Sequence, residues 1–202
     1  MTKIKLCGLS RLYDIAAANL LLPEYIGFVF APSSKRYVSA ERAAELKSLL
    51  HPAVQAVGVF VNAAPETVAT LLCRGTIDMA QLHGDEDEDY ICRLHALSTG
   101  PIIKAFKIRS DEDIRLAEKS SADYVLLDSG AGTGKAFDWE LIQNIGRPYF
   151  LAGGLDMDNV AAAVGALHPY AVDVSSGIET DGFKDRIKMA EFVSAVRKEE
   201  QT

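Results

Sequence analysis

Cysteine is scarce in this chain: three residues in 202, at Cys7, Cys73 and Cys92. They form no CxxC pair and their number is odd, which excludes a disulfide framework and leads us to expect a reducing, cytoplasmic setting. The four histidines lie at 51, 83, 95 and 168 without neighbouring ligand pairs, so the usual metal-site spacings are missing. No apolar run approaches the ~18 residues of a membrane span, and Met1-Thr2-Lys3-Ile4-Lys5 opens without the apolar core of a signal peptide. Positive charge is not in excess either. Lys and Arg number 21 against 28 Asp and Glu, a net charge of −7, so neither nucleic acid nor an anionic membrane is an expected partner. Low-complexity linkers and composition breaks are lacking as well, which leaves one domain over residues 1–202. What is present is ordinary globular composition, 49% hydrophobic and 24% charged. A domain of this length buries roughly 70% of its unfolded surface and needs no staple.

Two periodicities alternate along the chain. Short β-branched or apolar runs predict strands at Ile4–Cys7, Tyr25–Phe30, Val54–Val61, Met79–Leu82, Ile102–Phe106, Tyr124–Asp128, Tyr149–Ala152 and Ala171–Val174. Segments of helical spacing lie between them; Val160, Ala163, Val164 and Leu167 share one face, as do Met189, Phe192, Val193 and Val196. Ser39, Asp111, Asp138 and Asp156 are placed to cap helices. The acidic run Asp85–Asp89 falls where a helix begins and complements its dipole. Eight strands and eight helices in strict alternation imply a parallel sheet covered on both faces. Such units close most naturally into a single-domain (β/α)8 barrel, an α/β TIM barrel, although a doubly wound open sheet has the same alternation.

Function shows in where the polar residues fall. Read to their C-terminal ends, the strands deliver Cys7-Gly8, Ser34-Lys35-Arg36, Asn62, Gln81-Leu82-His83-Gly84, Lys104, Asp128, Gly153-Gly154 and Ser175-Ser176-Gly177. In a barrel these ends converge on the face where active sites are built. Gly153 and Gly154 after strand seven, with Ser175, Ser176 and Gly177 after strand eight, have the composition of a phosphate cradle, because glycine lets backbone N–H groups approach an anion. Gly132-Thr133-Gly134-Lys135 adds to the cradle but lacks the full Walker spacing. Cys7 and Asp128 end strands one and six and supply a base and an acid to the same rim. Lys5 shares the face of Cys7 by strand parity, which leads us to expect a lowered thiol pKa.

Lys5-Leu6-Cys7-Gly8-Leu9-Ser10-Arg11 resembles the amino-terminal signature of the phosphoribosylanthranilate isomerases. The resemblance continues in order through Gly27–Phe30, Ser34–Val38, Gly58–Asn62, Gln81–Glu86, Asp128, Gly132–Lys135, Phe137–Trp139, Leu151–Leu155, Asn159-Val160, Val172–Glu179 and Lys184-Asp185, and so spans nearly the whole chain. It implies a cofactor-independent Amadori rearrangement in tryptophan biosynthesis, with N-(5-phosphoribosyl)anthranilate as the phosphorylated substrate. By the same resemblance Cys7 is the general base and Asp128 the general acid, while Arg36 lies near the anthranilate carboxylate. Gly153, Gly154, Ser175, Ser176 and Gly177 hold phosphate, His83 orders the rim or touches substrate, and no metal is needed. The oligomeric state is left as monomer or homodimer. Two other readings fit the phosphate loops: another phosphosugar isomerase or epimerase on a similar barrel, and a non-catalytic phosphometabolite-binding module.

Overall fold

The structure is a computed structural model that describes residues 1–128, 139–142 and 145–199. Eight parallel strands, β1 (Lys3–Cys7), β2 (Tyr25–Val29), β3 (Gln55–Phe60), β4 (Met79–Leu82), β5 (Ile102–Lys107), β6 (Tyr124–Asp128), β7 (Tyr149–Ala152) and β8 (Ala171–Val174), pair in sequence order and close into a barrel. The seam is made by β1 against β8, where Lys5 stands opposite Asp173. Closure decides against the open doubly wound sheet, and four strands have the predicted boundaries.

Strand parity separates two cores. Tyr25, Val57, Met79, Ile103, Leu126, Phe150 and Ala171 point inward and fill the barrel. Ile4, Leu6, Ile26, Phe28, Val125 and Val172 point outward into the layer under the helices. Nearly continuous apolar strands are the consequence of being buried on both faces.

Among the described residues seven α-helices cover the barrel: α1 (Leu12–Leu21), α2 (Ala40–Ser48), α3 (Pro65–Cys73), α4 (Glu88–Leu97), α5 (Asp111–Lys119), α6 (Val160–Leu167) and α7 (Arg186–Glu199). Their seams are those the periodicity selects, with Val160, Ala163, Val164 and Leu167 of α6 and Met189, Phe192, Val193 and Val196 of α7 all buried. Ser39 caps α2 as expected, and Asp87 within the acidic run caps α4, its carboxylate accepting from Tyr90 N at 2.9 Å. A cap of this kind stabilises by ~1 kcal/mol.

Three expectations need correction. The helix expected between β6 and β7 is, in its described part, a four-residue 3-10 turn at Trp139–Ile142. Pro148 stands directly before β7, where a helix does not continue. The proposed cap at Asp138 and the Gly132–Lys135 stretch lie outside the described residues. The cap of α5 is Ser110 rather than Asp111, and that of α6 is Asn159 rather than Asp156. Asp156 still helps build the turn before α6, accepting from the backbone N–H of Asp158 and Asn159.

A two-stranded hairpin, β9 (Glu179–Thr180) and β10 (Phe183–Lys184), follows β8 and was not predicted. Its turn residues Asp181 and Gly182 have φ of +53° and +81°, the paired positive values for which an Asp-Gly dipeptide is the recognised signal.

Candidate active site

At the C-terminal mouth of the barrel lies a cavity of about 440 Å³. Eight of the nine candidate site residues line it: Cys7, Arg36, His83, Asp128, Gly153, Gly154, Ser175 and Ser176. The thiol and the carboxyl, far apart in sequence, therefore face one space.

Cys7 ends β1 on the inward side and is 7% exposed. A side chain at Gly27, its partner on β2, would meet the sulfur at 2.7 Å, so the bare glycine is what admits the thiol. Lys5 does share the Cys7 face, yet the expected lowering of the thiol pKa is reversed. Burial pushes the thiol above its ordinary value, and the attraction of Lys5 and Lys184 does not make up the difference. The reason is structural. Lys5 is fully buried and committed to Asp173, Nζ to Oδ1 at 2.9 Å, so much of its field is cancelled one residue pair away. Burial would lower the ammonium, but the charges of Asp173 and Cys7 and their hydrogen bonds together more than reverse it and hold Lys5 above its ordinary value.

On the opposite wall Asp128 closes β6. His83, arriving from the end of β4, brings its Nε2 to 3.6 Å from the Asp128 carboxylate, and its Nδ1 lies 2.8 Å from Gln81 Nε2. His83 thus orders the wall around Asp128, as well as lining the cavity.

Arg36 is not a solvated loop charge. Its Nε and Nη2 both donate to Glu179, at 2.6 and 2.8 Å, which uses the side of the guanidinium. The end of the fork, Nη1 with the second Nη2 proton, has no such partner among the described residues. Glu179 also receives Lys184 at 2.8 Å, and Lys35 lies 3.5 Å away. Burial alone would raise the Glu179 carboxyl; the hydrogen bonds from Arg36 and Lys184 overcome it and bring the pKa down to about 2.

Lys184 is buried, which lowers its pKa despite Glu179. Its Nζ donates to the Ser175 carbonyl at 2.8 Å, so the hairpin fastens the loop after β8. Ser175 Oγ in turn donates to the Cys7 carbonyl at 3.2 Å, tying that loop to the end of β1. The Ser175 hydroxyl is therefore an anchor of the loop rather than a free donor.

Gly153 and Gly154 have φ of +98° and +65°, conformations that side chains resist, and both lie at the cavity wall. Gly177 does not line the cavity but packs beneath it, and a Cβ there would stand 2.1 Å from the Leu155 carbonyl oxygen. The loops after β7 and β8 can approach each other only because position 177 is bare. Gly177→Ala is expected to cost roughly 1–3 kcal/mol by overpacking, a melting temperature lower by roughly 2–12 °C for a domain of this size. Inhibition by inorganic phosphate should weaken in parallel. A variant with unchanged melting and unchanged phosphate inhibition would contradict this packing argument.

Sequence reasoning assigned no role to Gln81, Asp173, Glu179 or Lys184. Two signals were available: Gln81 and Asp173 are polar at inward parity in apolar strands, and Asp181-Gly182 marks the hairpin that pairs Glu179 with Lys184.

A mouth of this kind on a closed (β/α)8 barrel places the chain in the class of barrel enzymes acting on small molecules. Comparison with known proteins narrows the class. The family profile described as N-(5'phosphoribosyl)anthranilate (PRA) isomerase matches residues 4–195, and the chain belongs to that family. The N-(5'-phosphoribosyl)anthranilate isomerase of Endomicrobium trichonymphae is 44% identical over 202 residues, covering 98% of this chain and 99% of the relative. The crystal structure of phosphoribosyl anthranilate isomerase from Thermotoga maritima superposes with a TM-score of 0.90 at 34% identity, covering 98% of this chain and 100% of that one. A second such structure holds reduced 1-(o-carboxyphenylamino)-1-deoxyribulose 5-phosphate; its TM-score is 0.88 at 34% identity, with the same coverage. Among the described residues no helix is long and apolar enough to cross a membrane.

Proposed function

We propose that this protein isomerises N-(5-phosphoribosyl)anthranilate to 1-(o-carboxyphenylamino)-1-deoxyribulose 5-phosphate in tryptophan biosynthesis, with Asp128 as general acid and Cys7 as general base. The observation that carries the assignment is that both groups line one cavity, between Arg36 and the glycine-serine loops. Asp128 protonates the furanose ring oxygen, and the ring opens to an iminium ion. Cys7, as thiolate, then takes the proton from C2. The resulting enolamine tautomerises to the ketone as C1 gains a proton and the C2 hydroxyl loses one, so no electron leaves the substrate.

The remaining groups position it. Glu179 holds the guanidinium of Arg36 by one side, and the free end of the fork suits the planar anthranilate carboxylate. Gly153, Gly154 and Ser176 hold the phosphate, with Ser175 and Gly177 setting the shape of the loops. Binding energy from this remote group places the sugar between acid and base, so a phosphate-free substrate should lose kcat as well as affinity. Cys7, Cys73 and Cys92 are unpaired thiols, which accords with a reducing cytosol.

The test is loss of substrate fluorescence with pure protein and no added metal. Turnover that is saturable and abolished by the reduced product analogue is the expected result. Absence of turnover, with phosphate compounds still bound, would favour the non-catalytic binding module instead.

A further inference from the structure

We infer that Gln81 is a further substrate-binding residue, its amide oxygen accepting a hydrogen bond from a hydroxyl of the sugar. The inference rests on the proposed isomerisation and deepens it.

Gln81 lies in the middle of β4, in register with Val59 of β3 and Ile103 of β5. It is polar at an inward position, 1% exposed, and lines the cavity together with Cys7 and Asp128. One end of its amide is fixed: Nε2 lies 2.8 Å from His83 Nδ1. With Nδ1 accepting, the imidazole carries its proton on Nε2, the nitrogen that faces the Asp128 carboxylate at 3.6 Å. Fixing Nε2 in this way leaves Oε1 as the other end, and Oε1 is buried without a hydrogen-bond partner among the described residues. Native structures pair nearly all such oxygens, because an unpaired buried carbonyl forfeits its hydration for nothing.

The chemistry of the missing partner follows from the oxygen itself. A neutral acceptor repels carboxylate and phosphate oxygens and attracts a donor. Arg36 and the glycine-serine loops are suited to the two anionic ends of the substrate, which leaves the hydroxyl-bearing sugar for the space between Cys7 and Asp128. A hydroxyl there satisfies Oε1. The contact discriminates, because a substrate lacking that hydroxyl leaves the carbonyl orphaned in the complex as well.

The experiment uses the reduced product analogue and three versions of it lacking the hydroxyl at C2, C3 or C4, with binding to the whole protein measured calorimetrically. On the wild type, one deoxy compound should bind about tenfold more weakly than the parent. Gln81→Leu should weaken the parent by about tenfold and bind that same deoxy compound as the wild type does. If all three deoxy compounds match the parent within about twofold on the wild type, Oε1 takes only water and the inference falls. It also falls if Gln81→Leu still discriminates, since Gln81 would then act through His83 alone. Gln81→Met provides the same comparison should the leucine variant not fold. Turnover of N-(5-phosphoribosyl)anthranilate by the wild type is measured alongside. Turnover without discrimination overturns the role of Gln81 alone; no turnover overturns the isomerase assignment, and the inference with it.

Discussion

Cys7→Ala should lower kcat/KM by ~10²–10⁴-fold, the usual contribution of one positioned proton-transfer group. Binding of the reduced product analogue should stay within a few-fold of wild type, because alanine removes one sulfur atom from a cavity whose anion-binding groups lie on other loops. The pH dependence carries a further signature. A base must be ionised to act, and burial places the Cys7 thiol above its ordinary value. In the free enzyme kcat/KM should therefore rise with pH through neutrality, and this limb should continue beyond the ~8.5 of an exposed thiol. Iodoacetamide alkylation of Cys7 should follow the same curve. A limb that ends below neutrality would show a stabilised thiolate, and near-normal turnover in the alanine variant would remove Cys7 from the mechanism.

Asp128→Asn should be as damaging, but in kcat rather than in KM. Asparagine keeps the shape of the side chain and its ability to hydrogen-bond, so the substrate still binds. What it lacks is a transferable proton for the ring oxygen, and ring opening stalls. The loss expected is again ~10²–10⁴-fold, read by the fluorescence assay at saturating substrate. His83 stands beside this carboxyl at 3.6 Å, so His83→Ala should show a smaller loss. Full activity in Asp128→Asn would reassign the acid.

The two groups proposed as base and acid are inert by the usual standards of their residue types. A strand cysteine is ordinarily a small hydrophobe, and an aspartate after a strand is ordinarily a cap. The barrel changes both by bringing the ends of β1 and β6 to one mouth. Glu179 and Lys184 show the same effect for charge. In a protein of net charge −7 the hairpin concentrates Arg36, Lys35 and Lys184 around one carboxylate beside the cavity, and local donors rather than the long-range field then meet a phosphorylated substrate.

The alternation of buried strands and amphipathic helices is local information, carried in spacings of two and of three to four residues, so Met79–Leu82, Tyr124–Asp128, Tyr149–Ala152 and Ala171–Val174 could be read directly. So could the C-terminal ends of the strands, and with them Cys7, Asp128, Arg36 and the glycine-serine loops, since a barrel sends every such end to the same face. What the sequence by itself could not decide were balances between distant groups. Lys5 was legible as a neighbour of the thiol by parity, but only closure of β1 on β8 sets Asp173 against it, and only burial makes desolvation outweigh its charge. The side-on grip of Glu179 on Arg36 and the orphaned oxygen of Gln81 likewise exist only once elements far apart in the chain share a wall. Periodicity is set by each residue's immediate neighbours, whereas a pKa or a hydrogen-bond deficit is set by whatever the completed fold places around it.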